Sequence, residues 1–506
     1  MPARSAAAPD ARRLSKTRFT AGLQCHKQLW WRVHEPDAKE LIPDPGQRNI
    51  FDQAAEVGRV ARRQVPGGEL IDLPFYQYDN KVAATRLALH GERPAIYEAA
   101  FLSSDTYVQV DILERRAPGF SVIEVKATNS KKKEHIPDAA VQVHVLRQAG
   151  VAVDRAELMH LNPECRYPDL DHLFVREDVT REVELYLPLV APEIAAQLAM
   201  LAGPIPDVAI GEHCTKPNPC PFLQRCWPKV PAHHISTLYS IPRRKVEEYE
   251  AKGYETIHDI PSDLELGVIH QRQVRAVTTG KMVVETTLGR ALEEFTGPLA
   301  YLDFETVSLA IPRYDGCRPW ENVPVQFSCD LERAGGKLVH HEFLADGPGD
   351  PRPALARALV DSCRGARRVV AYYASFERDC VRQLALAVPE LELELKEIEA
   401  RLIDLLPLVR NHVYHPDFGG SFSIKKVLPA LVPGLSYGDL TVSDGEKATL
   451  ELMRLMFHGD KMRGPEQAQL RRDLLAYCHR DTVAMVKLLE RLRGLVGAPQ
   501  LELELF

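Results

Sequence analysis

The stretch SVIEVKAT, residues 121–128, reads as a buried β-strand, because Val122, Ile123 and Val125 are apolar strand formers on both sides of its charges. Side chains alternate along a strand, so Glu124 and Lys126 share one face. Upstream, Ala95–Leu102 and Tyr107–Glu114 read the same way, and RRAPG (115–119) is a turn signal that joins Tyr107–Glu114 to Ser121–Ala127 as a β-hairpin. Asp111 then lies across the hairpin from this face, Glu98 sits on the preceding strand, and a helix predicted over Ala139–Ala149 carries Gln142. Two carboxylates and an ammonium on one face suit metal-assisted hydrolysis of a phosphodiester. The carboxylates hold a hard cation such as Mg²⁺, the cation lowers the pKa of a water, and the lysine orients that water or steadies developing charge. Glu98, Asp111 and Glu124 are the candidate metal ligands, with Lys126 and Gln142 as catalytic partners. The plain alternative for Glu–x–Lys is a cross-strand ion pair in water. Against it, the apolar flanks bury the strand, where an unpaired charge is costly.

A second strand, YLDFETVSL (301–309), places Asp303 and Glu305 on one face, where they repel unless a cation lies between them. Downstream, VVAYYASFERDCVRQL (369–384) reads as a strand leading into a helix that presents Glu377. LLAYCHRDTVAMVKLLE (474–490) is strongly helical and sets Tyr477 and Asp481 four residues apart, on one face. A lone Asp–x–Glu is more often a surface pair, and here Glu377 and Asp481 offer further carboxylates downstream.

Around these motifs the chain is long and ordinary in composition. Its 506 residues suggest about three folding units of roughly 150 residues. Hydrophobic content of 45% and charged content of 26% are those of a globular protein. No apolar run approaches the roughly 18 residues of a spanning helix, and the start lacks an apolar signal region, so a cytoplasmic location without membrane contact is expected. The net charge of −7 gives no global positive field. Locally, residues 1–33 carry seven basic residues and one acidic, and Lys131–Lys133 form a second basic knot. These patches are compatible with a nucleic-acid partner, or with a solvated face and a disordered arm over residues 1–13. The character of the chain changes near residue 230 and again near Gly297-Pro298. We therefore expect a domain over 14–230, a helical linker over 231–297 and a domain over 298–506, in a mixed α/β or α+β class. Within the linker, IPRRKVEEYEAKGYETIHDIP (241–261) has a helix–Gly turn–helix pattern.

The ten cysteines do not form a secreted disulfide framework. Three cluster in HCTKPNPCPFLQRCW (213–227), where five residues separate Cys214 from Cys220 and Cys220 from Cys226. In a cytosolic chain such clusters point to metal or catalysis.

With TRFTAGLQCHKQLWW (17–31), the order Asp111, Glu124–Val125–Lys126, Gln142 and the three late cysteines, residues 14–230 resemble the RecB-family PD-(D/E)XK nucleases, including AddB and the CRISPR adaptation exonucleases. The resemblance implies a [4Fe–4S] cluster held by Cys25, Cys214, Cys220 and Cys226 that clamps the two ends of the domain. Spacing alone does not separate iron–sulfur from structural Zn²⁺. The late cysteines of the family are usually two and then five residues apart, and Leu146 stands where its helix usually has Tyr. The second set of motifs resembles the DnaQ-type DEDD exonucleases, with an RNase H-like fold, in the subclass that uses tyrosine. That resemblance implies two Mg²⁺ or Mn²⁺ on Asp303, Glu305, Glu377 and Asp481, with Tyr477 positioning the water; Glu377 stands where the family has Asp. The 241–261 pattern resembles a helix-hairpin-helix module, which would grip DNA phosphates through backbone amides, or equally a plain helical linker.

The function expected from these resemblances is a dual nuclease that hydrolyses DNA at single strands or ends, in repair or recombination. Two alternatives stay open. One is an RNA-processing 3′–5′ exonuclease. The other is a nucleic-acid-binding scaffold with one or both sites inactive.

Overall fold

The computed structural model describes residues 13–74, 76–227 and 229–496, so the basic arm expected over 1–13 lies, apart from Arg13, outside the described residues. The class is α+β, with two units of mixed sheet and helix. The first comprises residues up to Pro228 together with Leu309–Glu321; the second comprises Lys229–Ser308 and Asn322 onward.

In the first unit the chain runs β1 (Leu14–Ser15), α1 (Lys16–Gln24), α2 (His26–His34), α3 (Pro45–Ala61), β2 (Glu69–Leu70), α4 (Tyr78–Leu89), β3 (Ala95–Ser103), β4 (Thr106–Arg115) and β5 (Phe120–Lys126). It continues with α5 (His135–Gln148), β6 (Val153–Leu161), β7 (Phe174–Asp178), α6 (Thr180–Leu201) and the short α7 (Leu223–Cys226). The sheet order is β2-β3-β4-β5-β6-β7, with β1 added in parallel at the start of β4. β4 and β5 form the expected antiparallel hairpin, while α5 crosses over to bring β6 parallel to β5. The alternation of β5 is used on both faces. Val122 joins the core under α5 and α6, and Ile123 joins a second core that contains Ala61 of α3. Glu124 and Lys126 therefore share the face of Val122, toward α1 and α5.

Among the described residues one helix, α6, is long and apolar enough to cross a membrane by length and composition, which corrects the expectation that nothing comes near this limit. Here Val183, Val190, Ile194 and Leu201 pack it into the core of the first unit. Its Gln197 donates to the Phe19 carbonyl at 3.0 Å and lies so close over Gly22 that a Cβ there would meet the Gln197 amide at 2.3 Å.

In the second unit the order is α8 (Arg243–Ala251), α9 (Val268–Thr279), β8 (Val283–Val284), α10 (Leu288–Leu292), β9 (Leu299–Ser308), β10 (Asn322–Glu332), β11 (Leu338–Leu344), α11 (Arg352–Ser362), β12 (Arg368–Ala371) and α12 (Ser375–Ala387). Then come α13 (Glu392–Arg401), β13 (Leu402–Asp404), α14 (Leu405–His412), β14 (Val413–Tyr414), α15 (Ile424–Leu431), α16 (Gly445–His458) and α17 (Gly464–Leu495). The five-stranded sheet has the order β11-β10-β9-β12-β13, antiparallel through β11, β10 and β9 and parallel through β9, β12 and β13. Leu302 and Phe304 face the core with α11, α12 and α13, whereas Leu299 and Tyr301 face the core with α17. The alternation then turns Asp303 and Glu305 toward α17.

Two boundaries differ from expectation. Residues 231–297 are not a separate linker: Ile235, Val246, Tyr249 and Ala276 share one core with Tyr301 and Leu488. Their short amphipathic helices look like a spacer in sequence because each buries only one narrow face. The β9–β10 connection, Leu309–Glu321, belongs to the first unit, where Ala310 N donates to Gln53 Oε1 at 2.7 Å and Trp320 Nε1 donates to the Ala127 carbonyl at 2.6 Å.

Candidate functional sites

In the first unit the register that pairs Ile112 with Ile123 sets Asp111 opposite Glu124. Asp111 Oδ2 accepts from the Val125 amide at 2.7 Å. Glu124, only 2% exposed, accepts from Lys126 Nζ at 2.8 Å and from Gln142 Nε2 at 2.7 Å. The four residues Asp111, Glu124, Lys126 and Gln142 are thus brought together. Sequence reasoning missed Lys16, whose Nζ lies 2.7 and 2.9 Å from the two Glu124 oxygens, and Asp138, which binds Lys126 from α5. Lys16 opens α1, over a hundred residues before Glu124, so no local pattern pointed to it. Burial would raise the Glu124 carboxyl, but Lys126 and Lys16 outweigh it and hold the group well below the usual range. Asp111 is pushed up to about 7, chiefly by burial and then by Glu124. Burial also opposes the charge of Lys16, and Asp138, Glu124 and Asp111 overcome it.

Glu98 stands apart from this knot. Its oxygens take Arg62 at 2.7 Å and Gln109, although its charge still raises Asp111. It holds a left-handed conformation, φ 57°, that is strained for a residue with a side chain. In the basic knot, Lys131 is committed to Glu177 and Glu182 at 3.0 and 3.3 Å.

The four cysteines named in the sequence line one cavity together with Trp31 and His213. Cys25 sits at the junction of α1 and α2, while Cys214 and Cys220 come from the loop after α6 and Cys226 ends the short α7 that follows. That loop is held to the helical pair by Gln24 Nε2, which donates to the His213 and Asn218 carbonyls at 2.7 Å each, and by Arg225, which bridges Glu35 and Glu40 at 2.6 and 2.8 Å. Burial and then the neighbouring sulfurs raise the Cys220 thiol. Four sulfurs lining one cavity, with all ten cysteines free of disulfides, are a donor set of the type that holds a thiolate-bound metal or cluster, though among the described residues no three of them lie within 4.8 Å of one another.

In the second unit ligand oxygens of Asp303, Glu305 and Asp481 all lie within 4.8 Å of one another. Glu377 lies outside that trio but is 3% exposed, and its Oε2 is buried with no hydrogen-bond partner. Burial, followed by Asp404 and Asp481, pushes Glu377 up to about 8. Burial and the neighbouring carboxylates raise Asp303 and Glu305 well above the usual range, and burial lifts Asp481 to about 6. The cations that oppose this charge are Arg480, at Asp481, and Lys425, which donates to Tyr477 Oη at 3.2 Å and to the Ser443 carbonyl at 3.0 Å. Tyr437, unforeseen in the sequence, donates to Asp481 Oδ1 at 2.6 Å, and the Cys478 thiol approaches Asp303 Oδ2 at 3.5 Å. Asp404 caps α14 through the Leu406 amide at 2.9 Å and accepts from Tyr373 N, also at 2.9 Å. An orphaned carboxylate oxygen beside three converging carboxylates fits divalent cations with oxygen ligands.

The residues of this second site overlap the part of the chain that matches a known family model. Residues 300–423 match a domain of unknown function, DUF2779. The match spans Asp303, Glu305 and Glu377 and stops before Tyr477 and Asp481. The chain is also similar to an uncharacterized protein of Ureaplasma parvum serovar 3, 25% identical over 212 residues, which is 37% of this chain and 30% of that protein.

Proposed function

We propose that this chain is a metal-dependent nuclease with two sites, a RecB-like PD-(D/E)XK site in the first unit and a DEDD-type exonuclease site in the second, acting on DNA in the cytoplasm during repair or recombination. The observation that carries the reading is the clustering of Asp303, Glu305 and Asp481 beside Glu377, whose buried oxygen has no partner. These four would hold Mg²⁺ or Mn²⁺, which activates water and stabilises the leaving oxygen of a phosphodiester when bound. Tyr477 orients water near the scissile bond, and Lys425 keeps the Tyr477 hydroxyl in place. Tyr437 fixes Asp481, whose carboxylate would be one of the ligands. In the first unit Lys126 stands beside Glu124 to steady developing charge. Cys25, Cys214, Cys220 and Cys226 would carry a [4Fe–4S] cluster that ties α1 and α2 to the loop after α6.

One observation favours a second reading for the first unit alone. Lys16 already neutralises Glu124, so a cation would have to displace it, and the unit would otherwise bind nucleic acid without cutting. The deciding experiment is hydrolysis of matched DNA and RNA oligonucleotides with Mg²⁺ or Mn²⁺ by anaerobically purified protein, intact and with Lys126→Ala or Asp303→Ala. Metal-dependent DNA cleavage lost in stages supports two active sites; binding without cleavage in any metal leaves only the scaffold. Preference for RNA would reassign the substrate. The same preparation should be brown with about four iron per chain, and Cys220→Ser should bleach it. Stoichiometric zinc without colour would replace the cluster by a structural zinc.

A further inference from the structure

A third group of ligating side chains lies in the second unit, outside the carboxylate site. Asp330 of β10, His340 of β11 and His479 of α17 bring one ligand atom each within 4.8 Å of one another. His340 Nδ1 is 3.1 Å from Asp330 Oδ1, and His479 Nε2 is 3.5 Å from Asp330 Oδ2. The two imidazole rings stack, with centroids 3.7 Å apart and planes tilted by 31°. We infer that Asp330, His340 and His479 form a binding site for a borderline transition metal of the zinc class, separate from the site that suits Mg²⁺ or Mn²⁺.

The argument rests on donor chemistry and on what surrounds the donors. Two imidazole nitrogens with one carboxylate select zinc-like ions, whereas all-oxygen groups suit Mg²⁺ and Mn²⁺. The remaining nitrogen of His340 meets Glu342 Oε2 at 3.1 Å, the carboxylate–histidine arrangement that fixes a ligating ring and raises its basicity. Asp330 is nearly buried and is oriented in turn by Thr482 Oγ1, which donates to Oδ2 at 2.7 Å. With a carboxylate at each of its nitrogens, His340 holds either a proton or a metal ion between Nδ1 and Asp330. Two protonated rings stacked this closely would set like charges face to face, while one divalent ion serves both rings and the carboxylate. His340 and His479 keep part of their surface open to solvent, which leaves an entry path and room for water as a further ligand.

Such an ion would pin three elements at the place that matters for the other site. His479 precedes Asp481 by two residues on α17. Thr482 also meets Ser328 Oγ at 2.9 Å, and Ser328 is the cross-strand partner of Asp303. The inference does not depend on whether the chain cleaves nucleic acid.

The test is equilibrium dialysis of the full-length protein against Zn²⁺ in excess Mg²⁺, which fills oxygen sites without displacing zinc from imidazole. Bound zinc is counted per chain, and Tm is recorded with and without Zn²⁺. His479→Ala, at a part-exposed position, should lower bound zinc by one equivalent and remove the zinc-dependent rise in Tm. Glu342→Gln should keep the site but weaken it about tenfold. His340→Gln provides a second direct lesion if His479→Ala does not fold. The inference is overturned if the folded variants bind as much zinc as the intact protein, or if the intact protein shows no zinc-dependent change that these substitutions remove; the cluster is then a proton-bridged ion pair.

Discussion

Glu124 in the first unit has donors from Lys16, Lys126 and Gln142 on its two oxygens, whereas Glu377 in the second has an oxygen with none. Both groups are almost fully buried, at 2% and 3% exposure. The first carboxylate is held charged by cations that the chain itself supplies; the second is driven toward its protonated form. Low dielectric makes both arrangements consequential, because an unpaired buried charge costs several kcal/mol. One site is therefore electrostatically closed without help, and the other becomes so only when cations arrive. Dependence on a divalent ion should be far stronger in the second unit than in the first.

The largest expected effect tests that asymmetry through activity. With Lys126→Ala as background, Asp303→Ala, Glu377→Ala or Asp481→Ala should each abolish trimming of a 3′-labelled strand, by roughly a thousandfold or more, since a lost ligand removes several kcal/mol of charge stabilisation. If Glu377→Ala trims at the normal rate while Asp303→Ala does not, Glu377 is a buried structural acid and the site is a trio.

The next effect is on stability and its sign is fixed by linkage. In the metal-free protein Asp303, Glu305, Glu377 and Asp481 titrate above their unfolded values, so the folded state holds more protons. These groups cost nothing at pH values below their unfolded range, near 4. Stability then falls as pH rises through that range toward the folded values, about 6 for Asp481 and about 8 for Glu377. Thermal melts of the metal-free protein should thus drop between pH 5 and pH 8, and Mn²⁺ should remove the drop. Melts that are flat in both conditions would mean that the carboxylates are compensated after all.

A smaller effect probes the first unit. Lys16→Ala removes two hydrogen bonds to a charged acceptor and should cost about 2 kcal/mol in chemical denaturation. Mn²⁺ should recover much of that loss, because a cation can take the position the lysine gives up. No recovery at any Mn²⁺ concentration would identify Lys16 as a permanent part of the unit and favour the binding scaffold for that half.

What was legible in the sequence follows from the range of the interactions. The shared face of Glu124 and Lys126, and that of Tyr477 and Asp481, are local periodicities and could be read directly. Asp111 opposite Glu124 needed only the hairpin register. Lys16, Tyr437 and Lys425 arrive from distant elements and sit in ordinary-looking sequence, so nothing local marked them. The segment 309–321 looks like a simple connection between two strands, yet its Ala310 and Trp320 hydrogen-bond within the first unit. In 231–297, helices with one narrow apolar stripe read as a spacer until their partners, Tyr301 and Leu488 among them, are in place.

The smallest effect asks whether the Tyr477 hydroxyl acts on the reaction or only on the fold. Its oxygen accepts from Lys425 Nζ at 3.2 Å, and no ligand oxygen of the carboxylate trio depends on it, because Asp481 is held by Tyr437 instead. Tyr477→Phe should therefore leave divalent-ion affinity unchanged and lower kcat for 3′-end trimming about tenfold, or ~1.4 kcal/mol, with KM unaltered. Tyr437→Phe should do the reverse and weaken ion binding first, because it frees the Asp481 carboxylate. If both substitutions weaken ion binding equally, the two tyrosines form one support for Asp481, and the positioning of water falls to Lys425.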